Sequence, residues 1–461
     1  MAEYKVQIYR GTILGLLVTA ILLVGLKTSA GNNTSPKNVQ FPCLREQADI
    51  QQEWLKLRLE RNLPAIMRKY HIPMWLMICR HQMEDRVFFS LVSPTIFAAR
   101  RTTMYIFYDR GEKKGIERIA LGDQSNGGLY TIYEDPEHPN RELIGDAQWE
   151  VLKKLILERN PEKIAIDVSE ADALADGLTT GLHEKLIQML GTELSTKLVP
   201  AYPVTLEYQE MRLPEMLPLY RNLLHINHSI VSRALSNEVI TPGRTTDSDV
   251  AWWIRDEIKK DGLIGDQPHV AILRQGDASL RFKGSAKGTV IEPGDVIHID
   301  FTVTGMRMNT DVQQVAYVLK PGEIDVPDGI KQAMKNTNRL QDIVISQIRR
   351  GRTGNEILVD VLAEMRKENI DGTVYCHSIG DHIHGAGPVI GYYDQQFPVP
   401  DRGELRIIPE SWFAIELNAK TAVPEWNNEK LMIGLEDDAV VYGNGRVGWV
   451  LDHQTKFHLI R

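Results

Sequence analysis

The sequence predicts two domains in series, an α/β domain followed by an α+β domain. Three observations carry this reading. The chain has 461 residues, and at about 150 residues per domain that length suggests two or three units with ample core. Short apolar runs alternate with helical patterns from about residue 74 to 191, the order of an α/β layer domain. Past a helix that begins near residue 246, strand-like runs dominate, and helical periodicity returns near 328–349 and 354–368. With 25% charged and 43% hydrophobic residues, the composition excludes disorder, collagen and coiled coil as global descriptions.

At the N-terminus, Lys5 and Arg10 stand against Glu3, and Ile13–Leu26 is predominantly apolar before Lys27 and the small residues Thr28, Ser29 and Ala30. A full bilayer span needs about 20 apolar residues. Residues 1–30 therefore read first as a signal peptide and second as a membrane anchor. Export, periplasmic or secreted, is the expectation; an uncleaved leader would tether the chain to a membrane through residues 11–26. The net charge is -8 and no basic block stands out, which argues against a nucleic-acid partner. Cys43, Cys79 and Cys376 are too few for a disulfide framework. A Cys43–Cys79 bridge stays open in an oxidising compartment, with unpaired thiols the default.

Residues 31–47 read as a flexible lead-in and 48–210 as the first domain. A helical pattern over 48–70 carries Leu55, Leu59, Leu63 and Ile66. Strand-like runs follow at Met74–Ile78, Val87–Val92 and Met104–Tyr108, then a helix over 148–159, a strand at Lys163–Val168 and a helix near 181–191. This stretch has no nucleotide loop and no nucleophile motif, so it reads as a supporting domain. A long helix over 213–236 joins the halves and opens the second domain, 211–461. The next helix is announced by caps at Thr245-Thr246-Asp247, with Val250, Ile254 and Ile258 at helical spacing.

The sharpest chemical signal is the segment from Glu292 to Asp311. Two apolar-rich strands flank Gly305-Met306, a pair suited to a type II′ turn. That turn would place Asp300 directly opposite Asp311, with Cβ atoms about 5 Å apart, and like charges so placed repel. A shared proton or a cation must offset this. Glu416 and Glu436 also lie within apolar strands, where an unpaired carboxylate is costly. Two Asp, two Glu and an intervening histidine cluster make an oxygen-rich site for two divalent ions such as Mn, Co, Fe or Zn. Two such ions about 3.5–4 Å apart can hold a bridging hydroxide and polarise a carbonyl.

In this order, Asp300, Asp311, a His-Gly-rich segment, Glu416 and Glu436-Asp437 resemble the metal-ligand series of the pita-bread metallopeptidases. That family includes aminopeptidase P, prolidase and methionine aminopeptidase, with metal-free creatinase as a relative. The resemblance is strong over about 211–440 and weaker over the preceding domain, which is similar to the creatinase/prolidase N-terminal domain. It implies a pita-bread catalytic domain in which Asp300 and Asp311 bind metals, Glu416 is a ligand and proton carrier, and Glu436 is a second bridging ligand.

Two registers fit the histidines. His377-Ser-Ile-Gly380, followed by His384 seven residues on, reproduces the family spacing of a ligand His and a substrate-facing His, with Ser378 standing where Gly is usual. The rival register makes His384-Gly-Ala-Gly387 the ligand motif and leaves Gly391 where the second His belongs. The first is preferred, and if the stretch is a strand His382 shares the face of His384. Two departures stand out. The stretch Leu280–Gly284 lacks the usual upstream substrate-facing His, leaving Arg281 or Lys283 to serve, and His269 lies earlier than expected. Gly434 stands where prolidase-type members often carry Arg.

The resemblance implies a metal-dependent exopeptidase, of Xaa-Pro aminopeptidase or prolidase type, acting on peptides. Glu416 would move the proton and His384 would steady the oxyanion, and a homodimer is the assembly it suggests. The alternatives are a creatinase-like hydrolase of a small amide and a non-catalytic binding protein on the same fold.

Overall fold

The computed structural model describes residues 41–122, 124–134, 143–265, 268–276, 288–381 and 384–461. The expected leader, residues 1–30, and most of the expected lead-in lie outside them, as do Leu280–Gly284 and His382. No helix among the described residues is long and apolar enough to cross a membrane. Gln40–Arg461 packs as one compact unit.

The first part is a six-stranded sheet with helices on both faces. Helix α1 (Leu44–Leu57) passes through a π turn (Arg58–Asn62) into α2 (Leu63–Lys69). Then come β1 (Met74–Cys79), α3 (Phe88–Leu91), β2 (Thr103–Asp109), β3 (Ile116–Leu121), β4 (Thr131–Ile132), α4 (Asp146–Arg159), β5 (Ile164–Ile166), α5 (Thr180–Ser195), β6 (Leu198–Pro200) and α6 (Tyr202–Glu210). The strand order is β4-β3-β2-β1-β5-β6. Strand β1 is buried on both faces: Met74, Leu76 and Ile78 pack with α4 and α5, and Trp75, Met77 and Cys79 pack with α2 and α6. A continuous apolar run is what a central strand of this kind requires.

One element differs from its sequence reading. Val87–Val92 is helical over Phe88–Leu91 rather than a strand. Asp85 accepts a hydrogen bond from the Val87 amide at 3.0 Å, an Asx-type start. Both faces of the short turn are then buried; periodicity alone cannot separate a short buried helix from a strand.

The second part begins with α7 (Leu217–Ala234) and α8 (Asp247–Lys260). Thr246 and Asp249 form the capping box of α8, and Lys259 and Lys260 occupy its last turn, favourable against the helix dipole. Strands follow as β7 (Ile264–Gly265), β8 (His269–Leu273), β9 (Val296–Phe301), β10 (Val303–Gly305), β11 (Met308–Asn309) and β12 (Val312–Val318). Helices α9 (Asp328–Gln347) and α10 (Gly354–Lys367) precede β13 (Asp371–Val374), β14 (Cys376–Ile379), β15 (Val389–Ile390), β16 (Ser411–Ala414), β17 (Leu417–Val423), β18 (Glu429–Leu435), β19 (Asp438–Val441), β20 (Val447–Trp449) and β21 (His458–Ile460). The sheets that shape the site are β21-β12-β9-β8, β13-β17-β18 and β15-β14-β16-β19-β20. Among the described residues no disulfide joins Cys43, Cys79 and Cys376.

The hairpin corrects the predicted register. Thr304 pairs with Asn309 and Gly305 with Met308, so the turn residues are Met306 and Arg307, with φ of 51° and 62°, as in a type I′ turn. Gly305 serves packing instead: a Cβ there would stand 2.9 Å from Leu263 and 3.0 Å from Phe41. Consequently Asp300 faces Gln313, and Asp311 is its diagonal neighbour on the same face, not its direct partner.

Candidate metal centre

The acids converge where strands change sheets. Asp300 lies on β9 and Asp311 just before β12; Glu416 sits between β16 and β17, and Glu436 between β18 and β19. At each of the last two positions the chain passes between the β14–β16–β19 sheet and the β17–β18 sheet. The Gln313 amide donates to the Glu436 carbonyl at 3.1 Å and the Glu436 amide to the Gln313 carbonyl at 3.3 Å, locking β12 to this crossover.

Two groups of donor atoms result, Asp311–His377–Glu436 and Asp300–Glu416–Glu436, each with all its atoms within 4.8 Å of one another. Glu436 belongs to both. His377 Nε2 lies 3.7 Å from Asp311 Oδ2, 3.9 Å from Glu416 Oε2 and 3.9 Å from Glu436 Oε1. On the other side of the ring, Nδ1 is 3.1 Å from the Ser378 carbonyl. That oxygen can only accept, so Nδ1 carries the proton and Nε2 presents a lone pair to three carboxylates. Burial, then His384, pushes the His377 pKa down to about 3, so protonation does not relieve the conflict. His377 Nε2 and Glu436 Oε1 are buried with no hydrogen-bond partner. A neutral imidazole with its remote N–H on a carbonyl is the form that binds a metal, and the N/O donor set suits borderline divalent ions.

The carboxylates are under the same stress. Burial first, then neighbouring carboxylates, raises the pKa of Asp311, Glu416 and Glu436. For Asp311 the neighbours are Asp300, Glu416 and Asp438, in that order. A cation between them removes the repulsion that the protein alone leaves.

The surrounding residues include several that spacing does not reveal. Gln313 Nε2 donates to Glu416 Oε1 at 2.6 Å and to Glu436 Oε2 at 3.0 Å. Each glutamate thus has one oxygen held and the other turned to His377. The Gln313 carbonyl oxygen faces His298 Nε2 at 3.0 Å. A Cβ on Gly434 would stand 3.1 Å from Gln313 Oε1 and 3.2 Å from His298 Nε2, so this pair fills the space where an arginine side chain would begin. Asp438 accepts the Asp311 amide at 3.3 Å and the Tyr220 hydroxyl at 2.8 Å, fixing the turn into β12. His269 pairs directly with Asp300, so it shares the acidic face despite its sequence distance. The signal for these residues was strand register, which only the observed turn supplies.

His384 is exposed, with its ring centroid 4.8 Å from that of His377, and Arg402 holds its carbonyl at 2.8 Å. The structure therefore brings Asp300, Asp311, His377, Glu416 and Glu436 together and sets His384 at their edge.

Carboxylates around a lone-pair histidine, on strands of a helix-flanked α+β domain, form a group that could hold a metal ion. The model of metallopeptidase family M24 matches residues 219–442, which makes this stretch of the chain similar to that pita-bread family. The chain is structurally similar to the X-Pro aminopeptidase of Thermotoga maritima, with TM-score 0.59 and 17% identity over 86% of this chain and 99% of that one. It is similar also to the Xaa-Pro dipeptidase of Bacillus anthracis, with TM-score 0.58 and 15% identity over 89% and 99%. A third neighbour is the N-terminal domain of a FACT complex subunit from Cicer arietinum, with TM-score 0.60 and 11% identity over 89% and 99%. No curated protein sequence matches the chain.

Proposed function

We propose that this protein is a metal-dependent exopeptidase of Xaa-Pro aminopeptidase or prolidase type, with Asp300, Asp311, His377, Glu416 and Glu436 holding two divalent cations. The observation that carries the reading is the His377 Nε2 lone pair, buried without a partner among three carboxylate oxygens. When bound, such ions supply an acidified water and a polarised substrate carbonyl. Glu416, with one oxygen held by Gln313 and the other turned inward, takes the water proton and passes it to the leaving amine. His384, exposed beside His377, steadies the oxyanion at the mouth of the site. Structural similarity to an X-Pro aminopeptidase and an Xaa-Pro dipeptidase supports the Xaa-Pro bond as substrate. Export and a homodimer complete the proposal.

Structural similarity to a FACT complex subunit favours a second reading, a non-catalytic binding role on this fold. Metal analysis joined to hydrolysis of an Xaa-Pro peptide panel with Mn or Co separates the two. About two ions per chain and turnover abolished by Asp311→Ala support the exopeptidase. Equal rates from both proteins reject the metal mechanism, and a metal-free, inactive wild type supports binding or a creatinase-like role.

A further inference from the structure

Away from the metal centre, three arginines converge on one buried carboxylate. Asp381 accepts from Arg212 Nη1 at 2.7 Å, Arg307 Nη2 at 3.2 Å and Arg58 Nη1 at 3.4 Å, and also from the Ser90 hydroxyl. Side-chain exposure is 1% for Asp381 and Arg212, 7% for Arg58 and 33% for Arg307. Both oxygens of Asp381 are thus engaged, yet the Nε atoms of Arg58, Arg212 and Arg307, and Arg212 Nη2, are buried without an acceptor. Among the described residues, these guanidiniums have no other carboxylate partner. Three guanidiniums, two of them buried, thus share a single carboxylate, which leaves the cluster with an excess of positive charge.

A cavity of about 250 Å³ adjoins it. Arg58, Arg307 and Asp381 form its polar end, and Trp54, Phe89, Ile96, Met216 and Met306 supply apolar wall. Its volume is below the range of drug-sized pockets, which fits a small ligand. The turn at its edge places both Met306 and Arg307 in the left-handed region, where glycine or asparagine is usual. Both side chains line the cavity, so the turn sequence serves the cavity and not the backbone.

We propose that this cavity binds a small organic monocarboxylate with an aliphatic or aromatic body. The planar guanidinium fork pairs with a carboxylate better than with a spherical ion, and the apolar walls require a hydrocarbon portion. The segments it touches also lead into the metal centre: Arg307 lies four residues before Asp311, and Asp381 four residues after His377. The test uses the full chain at constant ionic strength, with isocaproate as probe in calorimetric titration and thermal shift. Saturable binding is expected, with none for isocaproamide, which lacks the charge, or for acetate, which lacks the body. Arg307→Gln should weaken binding by about tenfold or more. Ile96→Trp, which fills the cavity and leaves the arginines in place, should abolish binding while the circular dichroism is retained. No saturable signal from the wild type, equal binding of acid and amide, or unchanged affinity in Arg307→Gln would overturn the proposal.

Discussion

Replacing Gln313 by leucine perturbs the carboxylate cluster without changing its formal charge and with little change in volume. The native amide makes two hydrogen bonds to carboxylates, at 2.6 and 3.0 Å, and accepts one from His298 at 3.0 Å. Hydrogen bonds to charged groups contribute about 1.5–3 kcal/mol each, and a stranded buried donor on His298 adds to the cost. The greater consequence is geometric. Glu416 and Glu436 lose the contact that turns one oxygen of each toward His377, so a cation must order them on binding. Loss of an outer partner of this kind typically costs 10–100-fold in metal affinity, or about 1.4–2.7 kcal/mol. Gln313→Leu is therefore expected to weaken Mn or Co binding by about that factor in chelator competition, with the cation-dependent rise in Tm reduced in step. Gly434→Ala should give a smaller loss, because its Cβ would press on Gln313 Oε1 and His298 Nε2 at 3.1 and 3.2 Å. A leucine variant that binds metal within about twofold of wild type refutes the reasoning, since the glutamates would then be ordered without the amide.

Asp311→Asn removes a carboxyl whose charged form burial and three neighbouring acids disfavour. It should raise the Tm of the cation-free protein while reducing metal affinity by more than the ~10–100-fold expected for an outer partner; a lower Tm in chelator contradicts the repulsion argument. Because the folded-state pKa values of Asp311, Glu416 and Glu436 are raised, the folded chain holds more protons than the unfolded one above about pH 4. Their contribution is lost as pH rises through the raised values. His377, at about 3, and His298, at about 4, act oppositely, but only up to the unfolded histidine range near 6.5. Urea midpoints in chelator should therefore fall between about pH 7 and 8 and flatten when Mn is added, and a rising midpoint in chelator would exclude this balance. His269→Ala, opposite Asp300, should lower kcat/KM for Xaa-Pro peptides by about 100-fold or more with metal stoichiometry unchanged; loss of metal instead would assign His269 to the cation.

The two-part organisation and the identity of the acids were legible because buried carboxylates in apolar strands have few explanations. His377 was legible from its spacing to His384. The register was not, because Gly305 offered a conventional turn position, whereas contacts of Met306 and Arg307 set the turn one residue later and the pairing two residues out. With the register went Gln313, His298 and His269, whose roles depend on which residue stands across the strand. Asp381 was invisible for a related reason: its partners lie 74, 169 and 323 residues away in the chain, and no local pattern encodes such a convergence.

Fold alone does not choose between hydrolysis and binding, since the FACT complex subunit reaches a TM-score of 0.60 and the X-Pro aminopeptidase 0.59. The choice rests on the site. A binding surface has no need to bury Asp311 and Glu436, at 6% and 1% exposure, around an unprotonated imidazole nitrogen. Replacing such groups by packed apolar residues is commonly neutral or stabilising. Their retention, together with an amide that holds one oxygen of each glutamate and leaves the other turned inward, is accounted for by a cation and by little else in the chemistry available to side chains. The absence of arginine at position 434 does not weaken this account, because Gln313 and His298 occupy the space, and Gln313, braced by His298, supplies the hydrogen bonds to Glu416 and Glu436.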